Sequence, residues 1–235
     1  MNFPLPIRAA MIDLDGTLLD TIADLTVATN EMRVALDLAP LPEARVRAFI
    51  GKGLAKLVKR ALTDDLDGAP DAALFARGQA VFHEHYAAVN GRHTTVYPGV
   101  REGLEALRAM GLPLACVTNK AERYARPLLA QQGLAGFFGL LVGGDTLPLR
   151  KPDPAPLLHA CRIFGVEPPA MLMVGDSHND VDAARAAGCP VFCVSYGYSE
   201  GVDVRTLGVD AIVNSLMEAT ALVTKVSNVT KVTQS

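Results

Sequence analysis

The residues best suited to chemistry stand near the start of the chain: Asp13-Leu14-Asp15-Gly16-Thr17-Leu18-Leu19-Asp20, closing the short apolar run Ile7 to Leu14. Two carboxylates spaced two apart at the end of a strand project to one side. Gly16 lets the chain turn sharply beneath a ligand. An acidic turn that merely capped a strand would need no apolar run to deliver both acids to one edge. The other reactive residue types are dispersed. His83, His85, His178 and the cysteines Cys116, Cys161, Cys189 and Cys193 form no CxxC pair and no cluster with zinc-ligand spacing. His178 reads as a solvent-facing loop residue, His83 and His85 as surface or boundary positions of a helix, and the cysteines as reduced core thiols. A different signal lies between Arg45 and Arg60, where Arg45, Arg47, Lys52, Lys56, Lys59 and Arg60 occur with no acid among them. A solvated helix face is the default reading. The break Gly51-Lys52-Gly53 argues for more, because each glycine inside a helix costs roughly 1 kcal/mol.

The elements that must position these residues alternate along most of the chain. Short apolar runs at Ile7 to Leu14, Leu112 to Val117, Gly139 to Val142, Met171 to Val174, Val191 to Ser195 and Ala211 to Val213 read as buried strands. Helical patterns fall between most of them, as at Val100 to Met110, Arg123 to Gln132 and Pro154 to Phe164, each followed by a glycine where a helix ends. This order predicts an α/β fold: a Rossmann-like parallel sheet with helices on both faces. From Asp20 to Thr95 the alternation stops and only helical periodicity remains, predicting an inserted all-helical cap. Residues 1–19 and 96–223 would form the core and 20–95 the cap, with 224–235 a frayed tail. The cap would leave the sheet at its C-terminal edge, where open α/β sheets bind ligands.

Taken together, the motifs resemble those of the haloacid dehalogenase superfamily of phosphotransferases. DLDGTLLDT resembles its first motif. Val117-Thr118-Asn119 is similar to its hydroxyl-bearing second motif, Lys151 in Arg150-Lys151-Pro152-Asp153-Pro154 to its lysine motif, and Gly175-Asp176-Ser177-His178-Asn179-Asp180 to its acidic fourth motif. The resemblance spans roughly Ile7 to Leu222. It implies that Asp13 attacks phosphorus to form an aspartyl phosphate, that Asp15 protonates the leaving alkoxide and then activates water, and that Thr118 and Lys151 hold phosphoryl oxygens. Backbone amides near Gly16 and the Asn119 side chain would add donors. It also implies Mg²⁺, held by Asp13, the Asp15 carbonyl and Asp176, with Asp180 orienting the metal's surroundings. Three acids packed together demand a cation on electrostatic grounds, and all-oxygen ligation suits Mg²⁺. Asp180 also suits an N-capping turn before the following helix.

The presence of Asp15 favours phosphate transfer over dehalogenation, which has no alkoxide to protonate. VTNK, GGDTLPLRKPDPAPL and YGYSEG look like bacterial phosphoglycolate phosphatases, implying a small phosphorylated metabolite as substrate. The Gly51-Lys52-Gly53 break resembles the loop that closes over the substrate in capped family members, implying that Lys52 or a neighbouring donor reaches the end of the substrate remote from phosphate. A phosphosugar phosphatase, a β-phosphoglucomutase-like mutase and, more remotely, a phospho-accepting receiver domain are the competing readings. The bulk numbers narrow the field further. Among 235 residues, 22 basic and 25 acidic side chains leave a formal charge of −3, and half the chain is hydrophobic. That balance excludes a disordered chain and disfavours a nucleic-acid-binding surface. No run approaches the roughly 20 apolar residues of a membrane span, and no export signal is evident, so the sequence reads as cytoplasmic.

Overall fold

The apolar runs form strands because most of their residues are buried, on one face of a sheet or the other. The computed structural model describes residues 3–226. Its strands are β1 (Leu5–Ile7), β2 (Ala9–Ile12), β3 (Leu19–Asp20), β4 (Thr95–Val96), β5 (Leu114–Val117), β6 (Leu140–Val142), β7 (Met171–Gly175), β8 (Val191–Val194), β9 (Ala211–Val213) and β10 (Val223–Lys225). The α-helices are α1 (Ile22–Ala35), α2 (Glu43–Arg47), α3 (Leu54–Thr63), α4 (Ala72–Val89), α5 (Val100–Ala109), α6 (Glu122–Gln131), α7 (Ala155–Phe164), α8 (His178–Ala187) and α9 (Leu216–Ala221). Six strands build one parallel sheet in the order β6-β5-β2-β7-β8-β9. The α/β fold with a Rossmann-like parallel sheet is therefore present.

Strand alternation divides the core in two. Ala10, Ile12, Leu114, Cys116, Leu172, Val174, Phe192 and Val194 face α5, α6 and α9. Their neighbours Ala9, Met11, Ala115, Val117, Met171, Met173, Val191 and Cys193 face α7 and α8. A third cluster, including Leu25, Met32, Phe49, Val58, Phe82 and Tyr86, lies among α1 to α4 and also takes in Tyr124 and Tyr198 from beside the sheet. Among the described residues no helix is long and apolar enough to cross a membrane.

Three local features depart from the sequence reading. The run Ile7 to Leu14 is not one strand: β1 and β2 separate at the half-buried Arg8, whose amide turns to the Ala170 carbonyl. β1 instead pairs with β10 in a parallel ribbon, Pro6 opposite Thr224 and Ile7 opposite Lys225. The tail expected to fray from Thr224 is thus a strand at its first two residues, since Val and Thr suit an edge strand. The rest of that expectation, 227–235, lies outside the described residues. Third, Asp20 and Thr95, the ends of a stretch read as wholly helical, are partners in the antiparallel pair β3–β4. Two-residue strands leave no period to read.

That pair brings together the two points where the chain leaves and rejoins the sheet domain. Asp24, fully buried on α1, completes the junction by accepting from the Gly91 amide (2.9 Å), the His93 amide (2.9 Å) and Thr94 Oγ1 (2.6 Å). Removing a buried carboxylate leaves three donors unpaired. Asp24→Ala is therefore expected to lower the urea unfolding free energy by about 3 kcal/mol. An unchanged unfolding curve would show that the junction does not depend on it.

Candidate active site

Strand order reverses around β2: β5 and β6 lie to one side, β7, β8 and β9 to the other. A crevice opens outside the strand ends at such a switch point. Asp13 follows β2, Thr118, Asn119 and Lys120 follow β5, and Asp176 follows β7, so adjacent strands deliver all five to one edge. Lys151 comes from the loop before α7. Gly16 turns the chain with a φ of 87°, and a Cβ there would lie 2.4 Å from Asp176 Oδ2. Only glycine permits both the turn and the approach.

Lys151 organises the centre. Its Nζ donates to Asp13 Oδ1 (2.8 Å), Asp180 Oδ1 (2.6 Å) and the Val117 carbonyl (2.7 Å), using all three of its donors. Burial opposes its charge, but Asp13 and Asp180 outweigh burial and hold its pKa above the ordinary lysine value. Burial raises the Asp13 carboxyl to about 6, against the pull of Lys151. Asp176 is pushed well above the usual carboxylate range, by burial first and then by Asp180 and Asp13.

Oxygens of Asp13, Asp176 and Asp180 lie within 4.8 Å of one another. Asp180 is already saturated. Its Oδ2 accepts from the Asp176 amide, the Ser177 amide and Ser177 Oγ, closing the capping box of α8, while its Oδ1 takes Lys151. Asp13 and Asp176 lie beside it, where their oxygens could serve a cation. An all-oxygen set whose mutual repulsion disfavours ionisation fits a hard divalent metal. Asp176 is held in place by Thr17 Oγ1 (3.2 Å) and the Tyr198 amide (2.7 Å).

The Asp15 side chain points away from this cluster. It accepts from Thr21 Oγ1 (2.8 Å) and from Lys120 Nζ through both oxygens (2.8 and 3.1 Å). Lys120 was not singled out by sequence reasoning, although a basic residue at the C-terminal end of a parallel strand was the available signal. Thr118 is buried, its Oγ1 accepting from the Lys120 amide. Asn119 donates through Nδ2 to the Gly51 carbonyl (2.9 Å) and the Lys151 carbonyl (2.8 Å), tying the helical domain to the lysine loop.

A pocket joins these groups, its wall from the helical domain made of Leu25, Ile50, Gly51, Gly53, Leu54 and Leu57. Lys52 is exposed and lies outside that lining. Lys56 is half-buried outside the lining, and the other four basic residues of the stretch have partners within the fold. Arg45 pairs with Asp64, Arg47 sits over the Tyr198 ring, Lys59 sits over Phe75, and Arg60 is buried, donating to the Phe49 and Leu66 carbonyls. His178 is the half-buried first residue of α8, and His85 is half-buried on α4. His83 meets Tyr124 at 2.9 Å, where α4 contacts α6.

The family model for haloacid dehalogenase-like hydrolases matches residues 7–188. The chain belongs to the haloacid dehalogenase-like hydrolases. Among its relatives in this family, a phosphoglycolate phosphatase of Nitrosospira multiformis is 57% identical over 227 residues, covering 97% of this chain and 100% of its own. One of Thiobacillus denitrificans is 53% identical over 225 residues, covering 95% and 99%. The crystal structure of a predicted phosphoglycolate phosphatase from Haemophilus somnus 129PT superposes with a TM-score of 0.85 at 34% identity, covering 90% of this chain and 95% of that one. Within the haloacid dehalogenase-like hydrolases this enzyme is a phosphatase.

The Asp13 shift has a consequence for stability. Because its folded value lies above the unfolded 3.8, the folded protein retains a proton that the unfolded chain loses. The associated stability is present below about pH 4 and is lost as pH rises through about 6. In metal-free protein, the gain in urea midpoint from Asp13→Asn should therefore grow between pH 4 and pH 7. A gain independent of pH would contradict the assigned environment.

Proposed function

We propose that this enzyme hydrolyses 2-phosphoglycolate to glycolate and phosphate through an aspartyl phosphate on Asp13, with Mg²⁺ as its metal. The observation that carries the reading is the pairing of two acids with two lysines in one pocket: Asp13 with Lys151 and Asp15 with Lys120. A nucleophile and a separate proton donor are what cleavage of a phosphate ester through a covalent intermediate requires.

In this reading Lys151 keeps Asp13 ionised at neutral pH, where a carboxyl of pKa about 6 is mostly charged. Asp13 attacks phosphorus in line, and the bond to the glycolate oxygen breaks. Asp15 gives that oxygen its proton. Asp15 then takes a proton from water as the water attacks phosphorus, releasing phosphate and restoring Asp13. Thr118 and Lys151 steady the phosphoryl oxygens. Asp13, Asp176 and the Asp15 carbonyl would hold Mg²⁺, with Asp180 ordering Lys151 and the 176–177 turn behind them. When bound, the metal neutralises charge on the phosphoryl group. Asn119, with its amide committed to Gly51 and Lys151, supports the site by fixing those two segments.

The two lysines of the pocket supply positive charge for a small substrate with two anionic ends, and the relatives named above are phosphoglycolate phosphatases. We place the enzyme in the cytoplasm, where its four free, buried thiols stay reduced.

Phosphate release from phosphoglycolate, glucosamine 6-phosphate and glucose 1-phosphate, with and without Mg²⁺, tests the reading. Phosphoglycolate should lead in kcat/KM by tenfold or more and should require the metal, and a phosphosugar in first place would overturn the substrate. Asp13→Asn should lower kcat by about 10³ or more. Substantial remaining Mg²⁺-dependent turnover would remove its nucleophilic role.

A further inference from the structure

Lys120 is an unusual residue to bury. It is 3% exposed, its Nζ lies 2.8 and 3.1 Å from the two Asp15 oxygens, and it sits 5.1 Å from the centre of the Tyr86 ring of α4. Desolvating an ammonium is costly, and the cost is offset only by a charged partner, which Asp15 supplies here. Among the described residues lining the pocket there are two cations, Lys151 and Lys120. Lys151 is held at the nucleophile's end of the pocket by Asp13, Asp180 and the Val117 carbonyl. None of the basic residues between Arg45 and Arg60 lines the pocket: Lys52 is exposed, Lys56 lies outside the lining, and Arg45, Arg47, Lys59 and Arg60 have partners of their own.

We infer that Lys120 is a specificity-determining residue that binds the carboxylate of the substrate. This deepens the phosphoglycolate reading and rests on it. In phosphoglycolate a single methylene separates the ester oxygen from the carboxylate. Once the ester oxygen is within reach of Asp15, the carboxylate is therefore within reach of the ammonium that touches both Asp15 oxygens. The opposite wall, Leu25, Ile50, Leu54 and Leu57, offers no charge to that carboxylate. A substrate carboxylate pressed against such a wall needs a buried cation at its side. Lys120 thus bridges the acid and the anionic end of the substrate, setting one against the other. Esters that carry no anionic group next to the ester carbon leave this contact unmade.

The test compares phosphoglycolate with ethyl phosphate, which has a methyl group in place of the carboxylate, in wild type, Lys120→Met and Lys120→Arg. Both substrates lose rate in Lys120→Met through the shared contact with Asp15, so the readout is the ratio of their kcat/KM values. Wild type should favour phosphoglycolate by about 100-fold or more, Lys120→Met should reduce that ratio at least tenfold, and Lys120→Arg should restore part of it. An equal loss on both substrates, with the ratio intact, would reduce Lys120 to a support for Asp15 and overturn the inference. A wild-type enzyme with no preference between them would instead overturn the phosphoglycolate reading itself. Should Lys120→Met fail to fold, Lys120→Gln removes the charge, keeps a donor and is read by the same ratio.

Discussion

Carboxylates crowd around one lysine at the edge of the sheet, and the rest of the molecule is arranged to tolerate it. Asp13 and Asp180 both touch Lys151, with Asp176 close behind them, all nearly buried. Burial first, and then repulsion among the three acids that one positive charge does not offset, holds the Asp13 and Asp176 carboxyls above their usual range. The arrangement stores an electrostatic demand that a divalent cation and a phosphate ester can satisfy together. Backbone geometry enforces the crowding: a Cβ at Gly175 would fall 2.2 Å from Asp180 Cγ, and one at Gly197 2.1 Å from Asp176 Cβ. The carboxylates are packed against glycine backbone and have little room to relax apart.

The pocket has two poles of similar construction. At one, Lys151 holds the proposed nucleophile; at the other, Lys120 holds the proposed acid and base. The helical domain closes the space between them with aliphatic side chains and with the Gly51 carbonyl, which Asn119 reaches from the sheet side. Its own position depends on the β3–β4 pair and on Asp24, some distance from the reacting groups. The stability of that junction and the enclosure of the pocket are therefore linked.

Much of this was legible before any coordinates. The strands β2, β5 and β7 announce themselves as apolar runs, and each delivers a reactive residue at its end, so the pattern that builds the core also places Asp13, Thr118 and Asp176 together. The glycine after α7 likewise marks its end, as Gly165 in the left-handed conformation. What escaped the sequence was tertiary. β3 and β4 are too short for a period, and β1 with β10 depends on two segments more than 200 positions apart in the chain. The basic stretch around Lys52 pointed to the right region for the wrong reason. Counting charges cannot show which way they face, and the structure turns Leu54 and Leu57 toward the pocket while Lys52 meets solvent. Lys120 was hidden because its significance lies in a partner 105 positions away.

The most direct test of the central claim, that Asp13 carries the phosphoryl group, is chemical trapping. Enzyme turning over phosphoglycolate with Mg²⁺ is quenched in acid and reduced with borohydride, which converts an acyl phosphate to the alcohol, and its peptides are analysed by mass spectrometry. The account predicts homoserine at position 13 and nowhere else, absent when substrate is omitted. Reduction at Asp15 or Asp176, or no reduced residue during active turnover, would contradict it.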